Sequence, residues 1–224
     1  MSEPAASPRE RYRQQVRDEI KAHAWTQVAT AGASALSLNA IAKQMGISGP
    51  ALYRYYRSRD ELITELVLDA YRDLADTCRV VGQTERAPTT RLAAAADALR
   101  RWAVAAPHRY LLIYGTPVPG YTAPPETTAI AGSIMALLLD AFAELDGAAG
   151  RPAKPIAALD RHLATHRDWA DGHSATPPAL RHALTFWSRL HGVISLELAG
   201  HFGGMGFDPG LLYAAEAHTA IHAR

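Results

Sequence analysis

Residues 37–63 read SLNAIAKQMGISGPALYRYYRSRDELI, and the remainder of the chain is best understood outward from them. Ser37 is placed to cap a short helix with Leu38, Ile41, Ala42 and Met45 inward, since a serine hydroxyl accepts from the orphan N–H groups of a first turn. Gly46 breaks that helix, and Ser48 can cap the next, in which Ala51, Leu52 and Tyr55 continue the apolar face. Ser58, followed three residues later by Glu61, forms a capping box that opens a long helix with Leu62, Ile63, Leu66, Val67, Ala70 and Leu74 inward. Two short helices joined by a tight glycine turn have the form of a helix-turn-helix, whose second helix, here about Gly49 to Tyr55, enters a DNA major groove.

Upstream, a first helix from about Arg9 to Ala31 carries Tyr12, Val16, Ile20 and Val28 on one side and ends at Gly32. The stretch Met1 to Glu10 reads as a short polar arm without the apolar core of a secretory signal. Charge is unevenly shared: residues 1–59 hold nine Lys and Arg against four acids, while the remainder is net acidic. A basic quarter on an acidic body is the footprint phosphate neutralisation requires.

Downstream, helical periodicity continues and no sustained period-two alternation is flanked by turns, so the fold class is all-α, with about nine to ten helices. Helices are expected near 90–105, from Pro107, from Pro124-Pro125 to about Leu145, over 156–167, from Thr176-Pro177 to about His201, and from Asp208-Pro209. The segments between them are expected as loops: Thr84 to Thr89, Gly115 to Gly120, Gly147 to Pro155, and Trp169 to Thr176. No window approaches the ~18 uninterrupted apolar residues of a membrane span, so no membrane partner is expected. A single cysteine, Cys78, excludes an internal disulfide and suits a reducing cytoplasm. On the fourth helix, without a basic cluster beside it, that thiol is expected to be inert.

Enzyme chemistry finds little support. His162 with His166, and His218 with His222, are spaced one helical turn apart, but neither pair is completed by a cysteine or carboxylate in a known metal pattern. There is no glycine-rich phosphate loop and no nucleophile elbow. No cofactor, metal site or catalytic residue is expected.

The 37–63 stretch closely resembles the DNA-binding signature of the tetracycline-repressor-like (TetR/AcrR) regulators. Ser37, Ile41, Ala42, Gly46, Ile47, Ser48, Leu52, Tyr53, Arg59, Asp60, Glu61 and Leu62 occupy the places of that pattern. Tyr56 and Arg59 stand where Phe and Lys are frequent. The resemblance implies a reading head over residues 1–58 and a ligand-binding and dimerisation body over 59–224. It implies phosphate contacts from Ser37, Ser48, Tyr53 and Arg59, with Gly49 permitting close approach. Base reading then falls to Arg54 and Tyr55, with Asn39 assisting from the preceding helix.

In the body, Phe186-Trp187-Ser188-Arg189-Leu190-His191-Gly192 looks like the Trp, His-Gly element of one subgroup of these regulators. The resemblance implies a homodimer formed through the two C-terminal helices, one recognition helix per half of a palindromic operator, and release by a small-molecule effector. Trp102, Tyr110, Tyr114, Phe186, Trp187 and His191 are the expected lining of the effector cavity. The loop Gly115 to Ala123, with Tyr121, is expected to gate it, and Leu62, Leu66 and Ala70 to carry the ligand response along the fourth helix.

Overall fold

The computed structural model describes residues 7–84, 86–146 and 153–222. Within them are ten α-helices and no strand: α1 (Pro8–Ala31), α2 (Leu38–Gln44), α3 (Gly49–Leu52), α4 (Arg59–Thr84), α5 (Pro88–Ala105), α6 (Pro107–Tyr114), α7 (Pro125–Leu145), α8 (Lys154–Thr165), α9 (Pro177–Leu198) and α10 (Pro209–His222). The all-α reading holds. Most of the N-terminal arm and most of the expected Gly147–Pro155 loop lie outside the described residues.

The chain forms two compact units. Unit 1 runs to Ala70 and takes up His108–Pro124; unit 2 comprises Tyr71–Pro107 and Pro125 onward. The break expected at residue 58 is therefore not where compactness divides the chain, because α4 contributes to both units.

In unit 1, α1 starts with a capping box. Ser7 Oγ accepts from Glu10 N–H at 3.3 Å, and Ser7 N–H donates to the Glu10 carboxylate at 2.7 Å. Ile20, Ala24 and Val28 form its buried face. It stops at Gly32, whose φ of +78° is readily adopted only without a Cβ. The same reasoning applies to Gly46, at φ +67°, which turns α2 into α3. Leu52, Tyr56, Leu62, Ile63, Leu66 and Ala70 are fully buried beneath these helices. At α4, Ser58 Oγ accepts from Glu61 N–H at 3.1 Å, while the Glu61 carboxylate reaches back to Arg57 N–H at 2.6 Å.

The 108–124 segment is held within the same unit. Arg109 lies over the Trp25 ring at 5.3 Å and His108 meets its edge at 5.5 Å. Tyr110 is fully buried, and the Tyr121 hydroxyl lies 3.2 Å from Thr64 Oγ1 on α4.

In unit 2, α9 is the central helix, packed against α5, α7, α8 and α10. Thr176 caps it, accepting from Ala179 N–H at 3.3 Å, with Pro177 in its first turn. Phe142 of α7 meets Phe186 of α9 edge-on at 5.7 Å. Buried Tyr213 of α10 donates to Ala96 C=O of α5 at 2.8 Å. Arg100 and Glu197 add a 2.7 Å ion pair between α5 and α9. By length and composition α7 could cross a membrane, with a mean hydropathy of 1.6 over its apolar window. Here it buries Leu138, Leu139, Ala141 and Phe142 and packs against α5 and α9.

Candidate nucleic-acid interface

The surface built by α2, α3 and the turn after α3 gathers most of the residues singled out from the sequence. Ser37 and Ser48 cap their helices, accepting from Ala40 N–H and Ala51 N–H, both at 3.3 Å. Gln27 fixes the first cap by accepting from Ser37 N–H at 2.9 Å. Each serine keeps its hydroxyl hydrogen for a further acceptor. Asn39 is exposed on α2 and its side-chain oxygen sits beside Gly49, where a Cβ would meet it at 3.4 Å. Asn39 and the start of α3 thus form one continuous patch.

The second helix is shorter than expected. It ends at Leu52, and Tyr53–Tyr55 form a tight turn in which Arg54 N–H bonds to Ala51 C=O and Tyr55 N–H to Leu52 C=O. Tyr53 and Arg54 are exposed, whereas Tyr55 is half-buried. Arg17 holds this turn from α1, donating to Tyr55 C=O at 2.8 Å.

Arg59 is differently employed from the other cations. Its Nη2 donates to the carbonyl oxygens of Ala33 at 2.9 Å and Ser34 at 3.1 Å, so it fastens the turn between α1 and α2. Lys43 and Arg57, which sequence reading passed over, are exposed. The signal for Lys43 was legible: it lies four residues after Asn39, one turn along the same outward face of α2. Elsewhere in the basic quarter, Arg17 pairs with Glu65 and Lys21 with Asp69, both at 2.9 Å, so those charges are locally neutralised. Positive charge on the patch is carried by Lys43, Arg54 and Arg57.

The expected effector residues are divided between the two units. Tyr110 and Tyr114 belong to unit 1 and pair with ring centres 5.2 Å apart. In unit 2, Trp102 Nε1–H donates to Asp73 at 2.9 Å, Phe186 is buried against Phe142, and Trp187 lies 4.7 Å from His191. Burial pushes the His191 imidazole down to about 4, so it is neutral at ordinary pH. The His162–His166 and His218–His222 rings lie against one another at 3.9 and 4.4 Å. Among the described residues no three His, Cys, Asp or Glu side chains gather as metal ligands. Cys78 is buried, and desolvation pushes its thiol up to about 11, which keeps it a weak nucleophile.

Capped short helices around a left-handed glycine turn, with hydroxyl, amide and cationic groups facing outward, define a helix-turn-helix DNA-binding protein. Residues 20–66 match the model of the bacterial regulatory proteins of the tetR family, and residues 92–220 that of the tetracyclin repressor-like C-terminal domain. The chain belongs to the TetR family and is a transcriptional regulator with an N-terminal DNA-binding domain, not an enzyme.

Its relatives agree. It is 36% identical to the HTH-type transcriptional regulator Rv1816 of Mycobacterium tuberculosis (strain ATCC 25618 / H37Rv), over 93% of this chain and 92% of that protein. It is 58% identical to SCO4313, a candidate regulatory protein of known crystal structure, with a TM-score of 0.84 over 96% of this chain and 98% of that one. A TetR/AcrR regulator from Thermobifida fusca shares the fold at 15% identity, with a TM-score of 0.61 over 93% of this chain and 97% of that one.

Proposed function

We infer that this chain represses transcription in the cytoplasm by binding a palindromic operator as a homodimer, and that a small-molecule effector releases it. The observation that carries the reading is the exposure of Asn39, Lys43, Ser48, Tyr53, Arg54 and Arg57 along α2, α3 and the segment leading into α4, with the Asn39 side chain beside Gly49. This set combines hydrogen-bonding groups with unneutralised positive charge, as duplex recognition needs.

Within it, Arg54 and Asn39 are the base readers, with half-buried Tyr55 as a minor contributor. Ser37, Ser48, Tyr53, Lys43 and Arg57 bind phosphates, and Gly49 lets α3 approach the backbone. Arg59 acts behind them by holding the turn at Ala33 and Ser34 in place.

Self-association is supported by exposed apolar side chains on the last two helices and their connection: Leu196, Met205, Phe207 and Leu211, of which Leu211 is 71% exposed. Isolated surface leucines are ordinary, but a run of them on adjoining elements is suited to a second copy. A two-fold dimer sets its reading heads about 34–36 Å apart, one DNA turn.

Effector control requires only a few kcal/mol of preference for a wrongly spaced state. The 108–124 segment is suited to carry that preference, since both its ends continue into unit 2 while it packs in unit 1 with Trp25 and Thr64.

The test is fluorescence anisotropy with duplex from upstream of the chain's own gene and with random duplex, across a salt series. Tight, salt-steep and selective binding by a dimer is expected. Equal weak binding to both duplexes would end the repressor reading.

A further inference from the structure

A cavity of about 150 Å³ lies in unit 2 between α4, α5 and α7. Its inner wall is apolar, formed by the buried side chains of Cys78, Leu92, Leu138 and Ala141 together with Leu137. Its rim is charged. Arg91 of α5 and Glu144 of α7 close an ion pair at 2.5 Å, and Asp140 stands beside them.

The Asp140 carboxylate meets His173, whose Nε2 is 3.0 Å away. Ala175 N–H donates to His173 Nδ1 at 3.0 Å, which turns Nε2–H toward Asp140. Arg91 and Glu144 offset each other, so the rim keeps the single negative charge of Asp140.

We propose that this cavity is the effector site and that it takes a small molecule with an apolar body and a cationic amine end, the body against Cys78 and Leu138 and the amine at Asp140. This rests on the reading of the chain as an effector-controlled regulator and names the chemistry of its effector. The volume is that of an apolar cavity able to hold a benzene-sized molecule, so the body has about six to eight non-hydrogen atoms. No charged group lines the inner wall, so a charge carried to that depth would be unpaired. A carboxylate end would meet the negative rim, and an amine end finds its partner there. Gly82 sets the limit on the α4 side: a Cβ at that position would stand 3.3 Å from Leu137, which narrows the space.

None of the aromatic residues expected to line an effector site borders this cavity. The wall does hold the chain's one cysteine, which serves as its reporter.

The test uses the full chain and three probes of like shape: benzylamine, toluene and benzoate. Modification of Cys78 by methyl methanethiosulfonate is followed by mass at about pH 8.5, where a weakly acidic thiol still reacts. At a benzylamine concentration ten times its Kd, modification slows roughly tenfold by mass action. Toluene protects less and benzoate not at all. Ala141→Leu fills the cavity and removes protection by benzylamine. In the parallel anisotropy assay, benzylamine weakens binding to the upstream duplex at the concentrations that protect Cys78.

Failure of all three probes to protect Cys78 would overturn the cavity as a ligand site, and benzoate protecting best would overturn the assigned chemistry. Protection with no change in duplex affinity would overturn its role as the effector site. Absence of duplex binding before any probe is added would instead count against the regulator reading, which Cys78 protection does not touch.

Discussion

The guanidinium of Arg17 lies 4.3 Å above the centre of the Tyr56 ring. Arg17 also donates to Tyr55 C=O and pairs with Glu65, so one side chain of α1 ties together the turn after α3 and the start of α4. Beneath it, the Tyr56 hydroxyl is buried without a hydrogen-bond partner among the described residues. Burial also raises its pKa, so the phenol stays protonated.

Tyr56→Phe is expected to leave stability unchanged or raise it, since a buried unpartnered hydroxyl costs about 1–3 kcal/mol. Arg17→Met, which loses the ring contact, the carbonyl bond and the ion pair together, should lower it by about 1–3 kcal/mol. Urea melts of both variants against the parent measure the two effects. A strongly destabilised Tyr56→Phe protein would mean that the hydroxyl has a partner after all.

Arg59 and Arg57 should separate stability from DNA affinity. Arg59→Ala removes bonds to two carbonyls and is expected to cost about 1.5–3 kcal/mol in a thermal or urea melt. Arg57→Ala should leave the melt unchanged and reduce the salt slope of duplex binding by about one unit, the share of one phosphate contact. Arg54→Ala should instead narrow the gap between operator and random duplex.

Stability at mildly acid pH should report on His191. Its folded pKa of about 4 lies below the ordinary 6.5, so the unfolded chain takes up a proton before the folded one does. The contribution of the neutral ring is therefore intact above pH 6.5 and is lost as pH falls from there to 4, at no more than about 1.4 kcal/mol per pH unit. Urea melts of parent and His191→Leu proteins at several pH values should show a flatter profile for the variant. Parallel profiles would remove His191 as the cause.

Thr64 and Tyr121 can be tested as a pair. A double-mutant cycle of Thr64→Val and Tyr121→Phe should return a coupling of about 0.5–1.5 kcal/mol in the melt, the net worth of one hydrogen bond. A coupling of zero would mean that the loop does not fasten to α4.

Self-association has a similarly direct check. Leu211→Glu, on the exposed face of α10, should shift the mass measured by light scattering from dimer to monomer, while helix content by circular dichroism holds. An unchanged dimer would place the interface elsewhere.

Much of this molecule was legible because helices announce their ends. Ser37, Ser48, Ser58 and Thr176 each cap the helix that follows, and the glycines at 32 and 46 adopt the left-handed backbone their positions demanded. What sequence could not convey was direction. Arg57 and Arg59 are both basic and two residues apart, yet one faces outward and the other is engaged by carbonyls twenty-five or more residues upstream. That choice depends on where the turn at Ala33 falls in space, which no local pattern encodes. That none of the aromatic residues expected as cavity lining borders the cavity of α4, α5 and α7 has a related reason. Large rings are the side chains that fill interiors best, so Tyr110 and Phe186 became packing, while the cavity formed beside Ala141 and Gly82, where side chains are small.

The excursion of residues 108–124 into unit 1 bears on how freely such a head could be exchanged between proteins. A fragment ending at Ala70 would carry Trp25 without Arg109 and His108, and Thr64 without Tyr121. In recombination or in the laboratory, a working chimera would have to transplant two separate pieces of sequence together. Residues 1–70 and 108–124 are therefore expected to be inherited as a set, although the remainder of α4 and all of α5, which belong to unit 2, lie between them in sequence.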